Sequence, residues 1–265
     1  MCRFAAYLGT PQPASRLLFD TDHALERQAH APQEQLSGTV NADGTGLAWW
    51  PPGTHGPHRY ATTLPPWADE NLRELAPLLQ ARAMIAAVRG ATPGVPGGRG
   101  AVAPFVVDDL AIAHNGWIDG FRDGMSHRLI SQVPAHRLAQ AEVLSDSALI
   151  ALLVAEARAT TDELAAALTT ALRQIATTVS GAGRSATLNV VGSDGHSLVA
   201  ARASVEAPCN SLYFLDHGQP TWPDGVVVAS EPLGDGSWKP VPESTLLVLT
   251  PDECHLLPLE LGATT

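Results

Sequence analysis

Nine short apolar runs recur along this chain, separated by polar or glycine-containing stretches. Runs of this length and composition are typical of β-strands, since a strand of a packed sheet needs only a few consecutive buried residues. They fall at residues 4–8, 46–50, 84–89, 110–114, 186–192, 198–202, 211–215, 226–230 and 245–249. The pattern predicts that β-sheet is the dominant element.

Helical periodicity is confined to three segments between these runs, at residues 69–82, 147–158 and 162–179. In the first, the apolar positions recur at helical spacing and define one side of the predicted helix. The other two are rich in alanine and leucine, which predicts that they pack against a sheet. The sequence Thr160-Thr161-Asp162-Glu163 predicts a capping box before the third. The apolar side of the first helix consists of Leu72, Leu75, Leu78 and Leu79.

Two segments between the predicted strands and helices have the composition of a turn or a loop. Ser193-Asp194-Gly195-His196 lies between two strand candidates and predicts a hairpin turn, because glycine tolerates a positive φ. Residues 93–104 are rich in glycine and proline and predict a solvated surface loop, with a lid over a pocket as the alternative. Strands in runs, with helices grouped between them, favour an α+β layered fold in one domain spanning residues 2–260.

Composition and charge narrow the function. The chain has 265 residues, 45% of them hydrophobic, which is enough for a large core. Its formal charge of -11 and its single lysine, Lys239, argue against nucleic acid or an anionic membrane as a partner. The three cysteines are odd in number and far apart, and no apolar run has the length of a membrane span. We therefore expect a cytoplasmic protein without disulfides.

The second residue is a cysteine, Cys2. Removal of Met1 would leave one residue that carries both a thiol and a free α-amine, whose pKa values lie near 8.5 and 7.7–8.0. The amine is then a general base beside the nucleophile. The alternative is that Cys2 is a small apolar residue at the start of a strand.

Three further segments, at residues 86–92, 113–116 and 144–147, supply the groups that γ-glutamyl chemistry needs. Arginine holds an α-carboxylate in a bidentate fork, which fits Arg89. Asp146 offers an anion for the α-ammonium group. The side-chain amide of Asn115 and the backbone N–H of Gly116 are suitable donors to a tetrahedral oxyanion.

Each of these residues also has a structural explanation. Arg89 could close a surface ion pair, Asn115-Gly116 could be a hairpin turn, and Asp146 could cap the helix predicted at 147–158. We expect His114 to be a buried histidine rather than a base, and Asn41 and Asp43 to shape a turn.

Taken in order, Met1-Cys2-Arg3, Asn41-Ala42-Asp43-Gly44, Arg89-Gly90-Ala91-Thr92, His114-Asn115-Gly116 and Ser145-Asp146 resemble the class II glutamine amidotransferases, which are N-terminal nucleophile hydrolases. The segments at residues 37–44, 67–72, 91–94 and 230–233 more narrowly resemble the γ-glutamyl hydrolases of ergothioneine biosynthesis. That family removes the glutamyl group from γ-glutamyl-hercynylcysteine sulfoxide.

The resemblance implies a four-layer αββα sandwich of two antiparallel sheets, with Cys2 on an early strand. It assigns Cys2 as nucleophile, Asn115 and Gly116 as the oxyanion hole, and Arg89, Thr92 and Asp146 as substrate-binding residues. It implies no metal or organic cofactor, a small-molecule substrate, and leaves a homo-oligomer open. Trp117 is our first candidate for contact with the trimethylammonium group of hercynine, with Trp49, Trp50 and Trp67 as the alternatives.

Two other functions compete with this interpretation. A glutaminase subunit would supply ammonia to a synthetase, but the 265 residues hold no second domain to receive it, so a separate partner would be required. A non-enzymatic member of the family would bind a γ-glutamyl metabolite without cleaving it.

Overall fold

The structure is a computed structural model that describes residues 2–91 and 97–262. Strands dominate it, as predicted. They are β1 (Arg3–Pro13), β2 (Thr45–Trp49), β3 (His58–Thr62), β4 (Gln80–Val88), β5 (Phe105–Val107), β6 (Leu110–Ile118), β7 (Ala186–Ser193), β8 (Leu198–Arg202), β9 (Ser204–Val205), β10 (Tyr213–Leu215), β11 (Gly225–Ala229), β12 (Lys239–Pro240), β13 (Thr245–Leu249) and β14 (Cys254–Pro258).

Two long helices and five short ones complete the secondary structure of the described residues, apart from single turns. The helices are α1 (Ser15–Leu18), α2 (Leu25–His30), α3 (Glu70–Leu75), α4 (Ser126–Ile130), α5 (Ala135–Leu138), α6 (Asp146–Arg158) and α7 (Leu164–Ser180). None of them, within the ranges that the structure describes, is long and apolar enough to cross a bilayer.

The strands form two sheets in which the neighbouring strands pair antiparallel. Sheet A has the order β12-β10-β11-β1-β4-β2-β3. Sheet B has the order β14-β13-β8-β7-β6-β5, and β9 pairs with β7 beside this path. The long central strands of each sheet therefore come from distant parts of the chain.

Alternation along β1 shows how the sheets are layered. Phe4, Ala6 and Leu8 belong to a core cluster that also contains residues of sheet B, whereas Ala5 and Tyr7 pack with the residues of α1, α2 and α3. The helices α6 and α7 pack on the far side of sheet B. This arrangement is the four-layer αββα sandwich of the α+β class that the sequence resemblance implies.

The hairpin predicted at residues 193–196 is confirmed, because β7 and β8 pair through Ser193 and Leu198 and Gly195 has a φ of 85°. The helix predicted at residues 69–82 is wrong in its second half. It ends at Leu75, and the chain enters β4 at Gln80. Pro77 explains the early end, because proline has no backbone N–H to continue the helical hydrogen bonds.

Two smaller expectations are also wrong. The capping box before α7 does not form, since Glu163 occupies the N-cap position without a side-chain cap hydrogen bond. Residues 101–104 of the predicted surface loop are buried, with Val102 fully enclosed and the Ala103 carbonyl packed against Gly46 of β2. Residues 93–96 of that loop, and Thr92 before it, lie outside the described residues.

Candidate active site

Cys2 and Arg89 lie next to each other at one end of sheet A. β1 pairs with β4 through Arg3 and Val88, so the next pair of the ladder is Cys2 and Arg89. In both strands these residues continue the row of side chains that faces sheet B, after Phe4 in β1 and Ala87 in β4. The antiparallel register thus brings together two residues that are 87 positions apart.

The backbone around Arg89 is fixed by the turn that precedes β2. The Arg89 N–H donates to the Gly44 carbonyl at 2.8 Å, and the Asp43 N–H donates to the Arg89 carbonyl at 2.9 Å. The Asp43 carboxylate then accepts from the Ala91 N–H at 2.7 Å. Arg89 itself is only 7% exposed, so its side chain lies in the interior rather than on the surface.

Asn115 and Gly116 lie inside β6 rather than in a hairpin turn, so that alternative is wrong. β5 pairs only with the first three residues of β6, at Leu110–Ile112. Beyond that point, β6 has β7 on one side, and alternate backbone N–H groups point away from it. This stretch is therefore a place where backbone donors can reach a ligand.

The Asn115 side chain is fully buried, and its Nδ2 has no hydrogen-bond acceptor among the described residues. His114 contacts α6, on the outer side of sheet B, so the alternation of β6 directs Asn115 toward sheet A. An unpaired buried N–H costs roughly 1–3 kcal/mol, a cost that a ligand oxygen would remove.

Gly116 is required by close packing. An added Cβ would lie 1.9 Å from the Thr187 carbonyl oxygen and 2.4 Å from the Nε2 atom of His114. Both atoms belong to groups that are held in place, because His114 donates from Nε2 to that carbonyl at 3.0 Å. No larger residue fits at this position without a shift of the β6–β7 ladder.

Asp146 is the first residue of α6 and is partly exposed. The cap that we considered for it is supplied by Ser145, whose hydroxyl accepts from the Ala148 N–H at 3.1 Å. Asp146 instead accepts from the Ser147 N–H at 2.8 Å. Its carboxylate therefore lies at the positive end of the helix dipole and is available to a cation.

His114 is buried, as predicted, and joins β6 to the start of α6. Its Nε2 donates to the Thr187 carbonyl, so in the neutral ring Nδ1 accepts from the Ser147 hydroxyl at 2.9 Å. Burial lowers the pKa of His114, although the charge of Asp146 opposes this effect. A neutral His114 thus holds Ser147 in place, next to Asp146 at the start of α6.

The charges of Arg89 and Asp146 both affect the pKa of the Cys2 thiol. Burial raises the pKa of the thiol, the Gly90 backbone N–H and the charge of Arg89 lower it, and the charge of Asp146 raises it again. Arg89 and Asp146 are thus both close enough to act on the Cys2 sulfur. Trp117 is two residues beyond Asn115 on the same face of β6 and is partly exposed.

The network beneath Cys2 was not predicted from the sequence. Arg3 donates from Nε to Glu231 at 3.0 Å, and His23 donates to the same carboxylate at 2.8 Å. The backbone N–H groups of Gln33 and Glu34 complete its shell at 2.9 and 3.1 Å. Glu231 lies in one of the segments that carry the family resemblance, and a charged residue directly after an apolar strand was the available signal.

Solved structures share this fold. A glutamine aminotransferase class-II domain protein from Silicibacter pomeroyi aligns with a TM-score of 0.73 at 20% identity, over 99% of this chain and 100% of its own. The glutamine phosphoribosylpyrophosphate amidotransferase from B. subtilis aligns with a TM-score of 0.66 at 15% identity, over 98% of this chain and 50% of its own. The fold is that of the class II glutamine amidotransferases, which are N-terminal nucleophile hydrolases.

No protein-family model matches the chain. Curated relatives nevertheless identify its family. The gamma-glutamyl-hercynylcysteine sulfoxide hydrolase of Mycobacterium tuberculosis is 32% identical over 251 residues, which cover 94% of this chain and 93% of the relative. The enzyme of the same name from Mycolicibacterium smegmatis is 30% identical over 93% of this chain and 95% of its own length. The chain belongs to the gamma-glutamyl-hercynylcysteine sulfoxide hydrolase family and is an amidohydrolase.

Proposed function

We propose that this protein hydrolyses the γ-glutamyl amide bond of γ-glutamyl-hercynylcysteine sulfoxide through a thioester on Cys2. The observation that carries the proposal is the juxtaposition of Cys2 with Arg89 and Asp146, whose charges both act on the Cys2 thiol. A γ-glutamyl group has an α-carboxylate and an α-ammonium at one end and the reactive carbonyl at the other. One cation, one anion and one nucleophile in a shared site match these three groups.

In the proposed reaction, Arg89 binds the α-carboxylate and Asp146 binds the α-ammonium group. The Cys2 thiolate attacks the γ-carbonyl, and Asn115 Nδ2 with the Gly116 N–H donates to the oxyanion. The C–N bond breaks as the leaving amine takes a proton from the N-terminal ammonium group, which removal of Met1 supplies. Water then attacks the thioester, releases glutamate and restores the thiol. Thr92, which lies outside the described residues, remains a candidate for the carboxylate.

The leaving group carries a trimethylammonium, which an aromatic ring binds through a cation–π contact. We assign this contact to Trp117, because it is partly exposed and shares the face of β6 that holds Asn115. Trp49 and Trp50 suit the role less well, since both pack against the core clusters.

Glutamate release from purified protein tests the proposal, with γ-glutamyl-hercynylcysteine sulfoxide and glutamine as parallel substrates. We expect release from the sulfoxide, loss of Met1 by intact-mass spectrometry and, after rapid acid quenching, a mass increase of one glutamyl group on Cys2. Release from glutamine alone would instead identify a glutaminase that supplies ammonia to a partner. No release from either substrate, with tight binding of the sulfoxide, would identify a non-enzymatic binding protein.

A further inference from the structure

Asn210 contacts Asn115 from the segment between β9 and β10. Its Nδ2 lies 3.0 Å from the backbone oxygen of Asn115 and 3.3 Å from the side-chain Oδ1 of the same residue. Both asparagines are fully buried. One amide group of Asn210 therefore meets Asn115 at two points.

These two contacts determine which way the Asn115 amide points. A backbone carbonyl only accepts hydrogen bonds, so the Asn210 atom that faces it must be the NH2 group. The side-chain atom of Asn115 next to that NH2 group must then be its acceptor, Oδ1. It follows that the Asn115 NH2 group is turned away from Asn210, and this is the group with no acceptor among the described residues.

Asn210 is itself held by groups from two strands. Its backbone carbonyl accepts from Asn189 Nδ2 at 3.0 Å and from Arg202 Nε at 2.8 Å. Asn189 lies directly opposite Asn115 in the β6–β7 ladder and also donates to the Ser211 carbonyl at 3.1 Å. The position of Asn210 is thus fixed independently of Asn115.

We infer that Asn210 is a positioning residue that sets the orientation of the Asn115 amide, so that its NH2 group rather than its carbonyl oxygen faces the reacting carbonyl. This inference rests on the proposed function. A carbonyl oxygen at that place would repel the oxyanion, whereas an N–H donor stabilises it. A donor fixed before the reaction needs no reorganisation when charge develops, which is how an oxyanion hole accelerates acyl transfer.

Two variants test the inference. Asn210→Leu removes the donor without adding charge, and Asn210→Asp keeps the shape but presents a carboxylate that only accepts, so the Asn115 amide turns around. We expect kcat for γ-glutamyl-hercynylcysteine sulfoxide to fall about 10²–10³-fold, the loss typical of one oxyanion donor, while KM changes little. Alkylation of Cys2 by iodoacetamide forms no oxyanion, so its rate in Asn210→Leu should match that of wild type.

Ser211→Ala is the matched control, since Ser211 adjoins Asn210 and donates to the Ser230 carbonyl at 2.8 Å. It loosens the same segment without touching the Asn115 amide and should keep wild-type kcat. The double variant Asn115→Ala/Asn210→Leu should be no slower than Asn115→Ala alone, because both changes abolish the same donor to the oxyanion, the Asn115 NH2 group.

Three results would overturn the inference: wild-type kcat in both Asn210 variants, equal losses in hydrolysis and in alkylation, or additive losses in the double variant. Failure of wild-type protein to release glutamate from either the sulfoxide or glutamine would instead overturn the proposed function.

Discussion

Arg3 and Glu231 form a buried ion pair, with Arg3 Nε 3.0 Å from Glu231 Oε1 and side-chain exposures of 0% and 1%. Arg3 also donates from Nη1 to the Cys2 carbonyl at 3.3 Å. The pair therefore anchors the backbone of the proposed nucleophile to the end of β11.

The pKa of Glu231 predicts an acid dependence of stability. Burial raises the pKa of this carboxyl, but His23, the backbone N–H groups of Gln33 and Glu34, and the charge of Arg3 outweigh burial and lower it from 4.5 to about 2. Because the pKa of this carboxyl is lower in the folded chain than in the unfolded chain, its ionised form stabilises the fold. This stabilisation is fully present at pH values above the pKa of the unfolded chain. A difference of this size is worth about 3 kcal/mol at neutral pH, which is lost as the pH falls from about 4.5 to about 2.

Glu231→Gln should remove this acid dependence and lower the free energy of unfolding at pH 7 by about 3–5 kcal/mol, because it leaves Arg3 as an unpaired buried charge. Denaturant unfolding between pH 2 and pH 7 measures both effects. Glu253→Gln is the control, since Glu253 is 66% exposed and should tolerate the change. Equal stability of Glu231→Gln and wild type at pH 7 would contradict the assigned role of the ion pair.

A side chain at position 116 should disturb the fold as well as the reaction. Gly116→Ala places a Cβ 1.9 Å from the Thr187 carbonyl oxygen, and overpacking of a buried backbone contact costs about 3 kcal/mol or more. We expect a lower thermal midpoint and loss of glutamate release. Gly56→Ala is the control, because the nearest atom to its added Cβ lies 3.8 Å away. A stable, fully active Gly116→Ala would show that the β6–β7 ladder yields at this point.

The central strands were predictable because their apolar runs are buried on both sides, by the other sheet and by helices. Strands at the edge of a sheet have no continuous apolar run from which they could be predicted. β3 and β14 were missed because most of their residues are exposed or only partly buried. The helix at residues 69–82 was overestimated because leucine spacing suggested one buried side, whereas Leu75 and Leu78 are 45% and 75% exposed.

The candidate site was predictable only as separate motifs. Cys2, Arg89, Asn115 and Asp146 follow from residue chemistry and family resemblance, but their proximity depends on the β1–β4 register and on the packing of the two sheets. Asn210 had no signal in the sequence, because a single asparagine after a cysteine indicates no partner. Its contact with Asn115 joins residues 95 positions apart.

Trp117 should determine how the leaving group is recognised. If it contacts a desolvated trimethylammonium group, Trp117→Leu removes about 2 kcal/mol, which lowers kcat/KM for γ-glutamyl-hercynylcysteine sulfoxide about 30-fold. Hydrolysis of glutamine, which has no trimethylammonium group, should be unaffected. Trp117→Phe should retain part of the preference for the sulfoxide over glutamine. Trp238→Leu, in the outer core of sheet A, is the control for the loss of an indole ring. Equal losses on both substrates would instead assign Trp117 to packing.

Asp146 should have opposite effects on substrate turnover and on thiol reactivity. Its charge raises the pKa of the Cys2 thiol, so Asp146→Asn lowers that pKa and increases the thiolate fraction at neutral pH. Alkylation by iodoacetamide should therefore be faster in the variant than in wild type at pH 7. Hydrolysis should nevertheless be strongly impaired, mainly through a higher KM, because the α-ammonium group loses its anion.

The control for this experiment is Asp162→Asn, which removes the same charge from a fully exposed position beyond the other end of α6. It should change neither rate. Slower alkylation in Asp146→Asn would mean that the thiol environment has collapsed, and unchanged KM would mean that another group binds the ammonium. Unfolding would also speed alkylation, because it exposes the buried thiol and removes the burial that raises its pKa. Faster alkylation with weaker turnover therefore identifies Asp146 as a substrate anion that acts on the nucleophile only where the thermal midpoint of Asp146→Asn matches that of wild type.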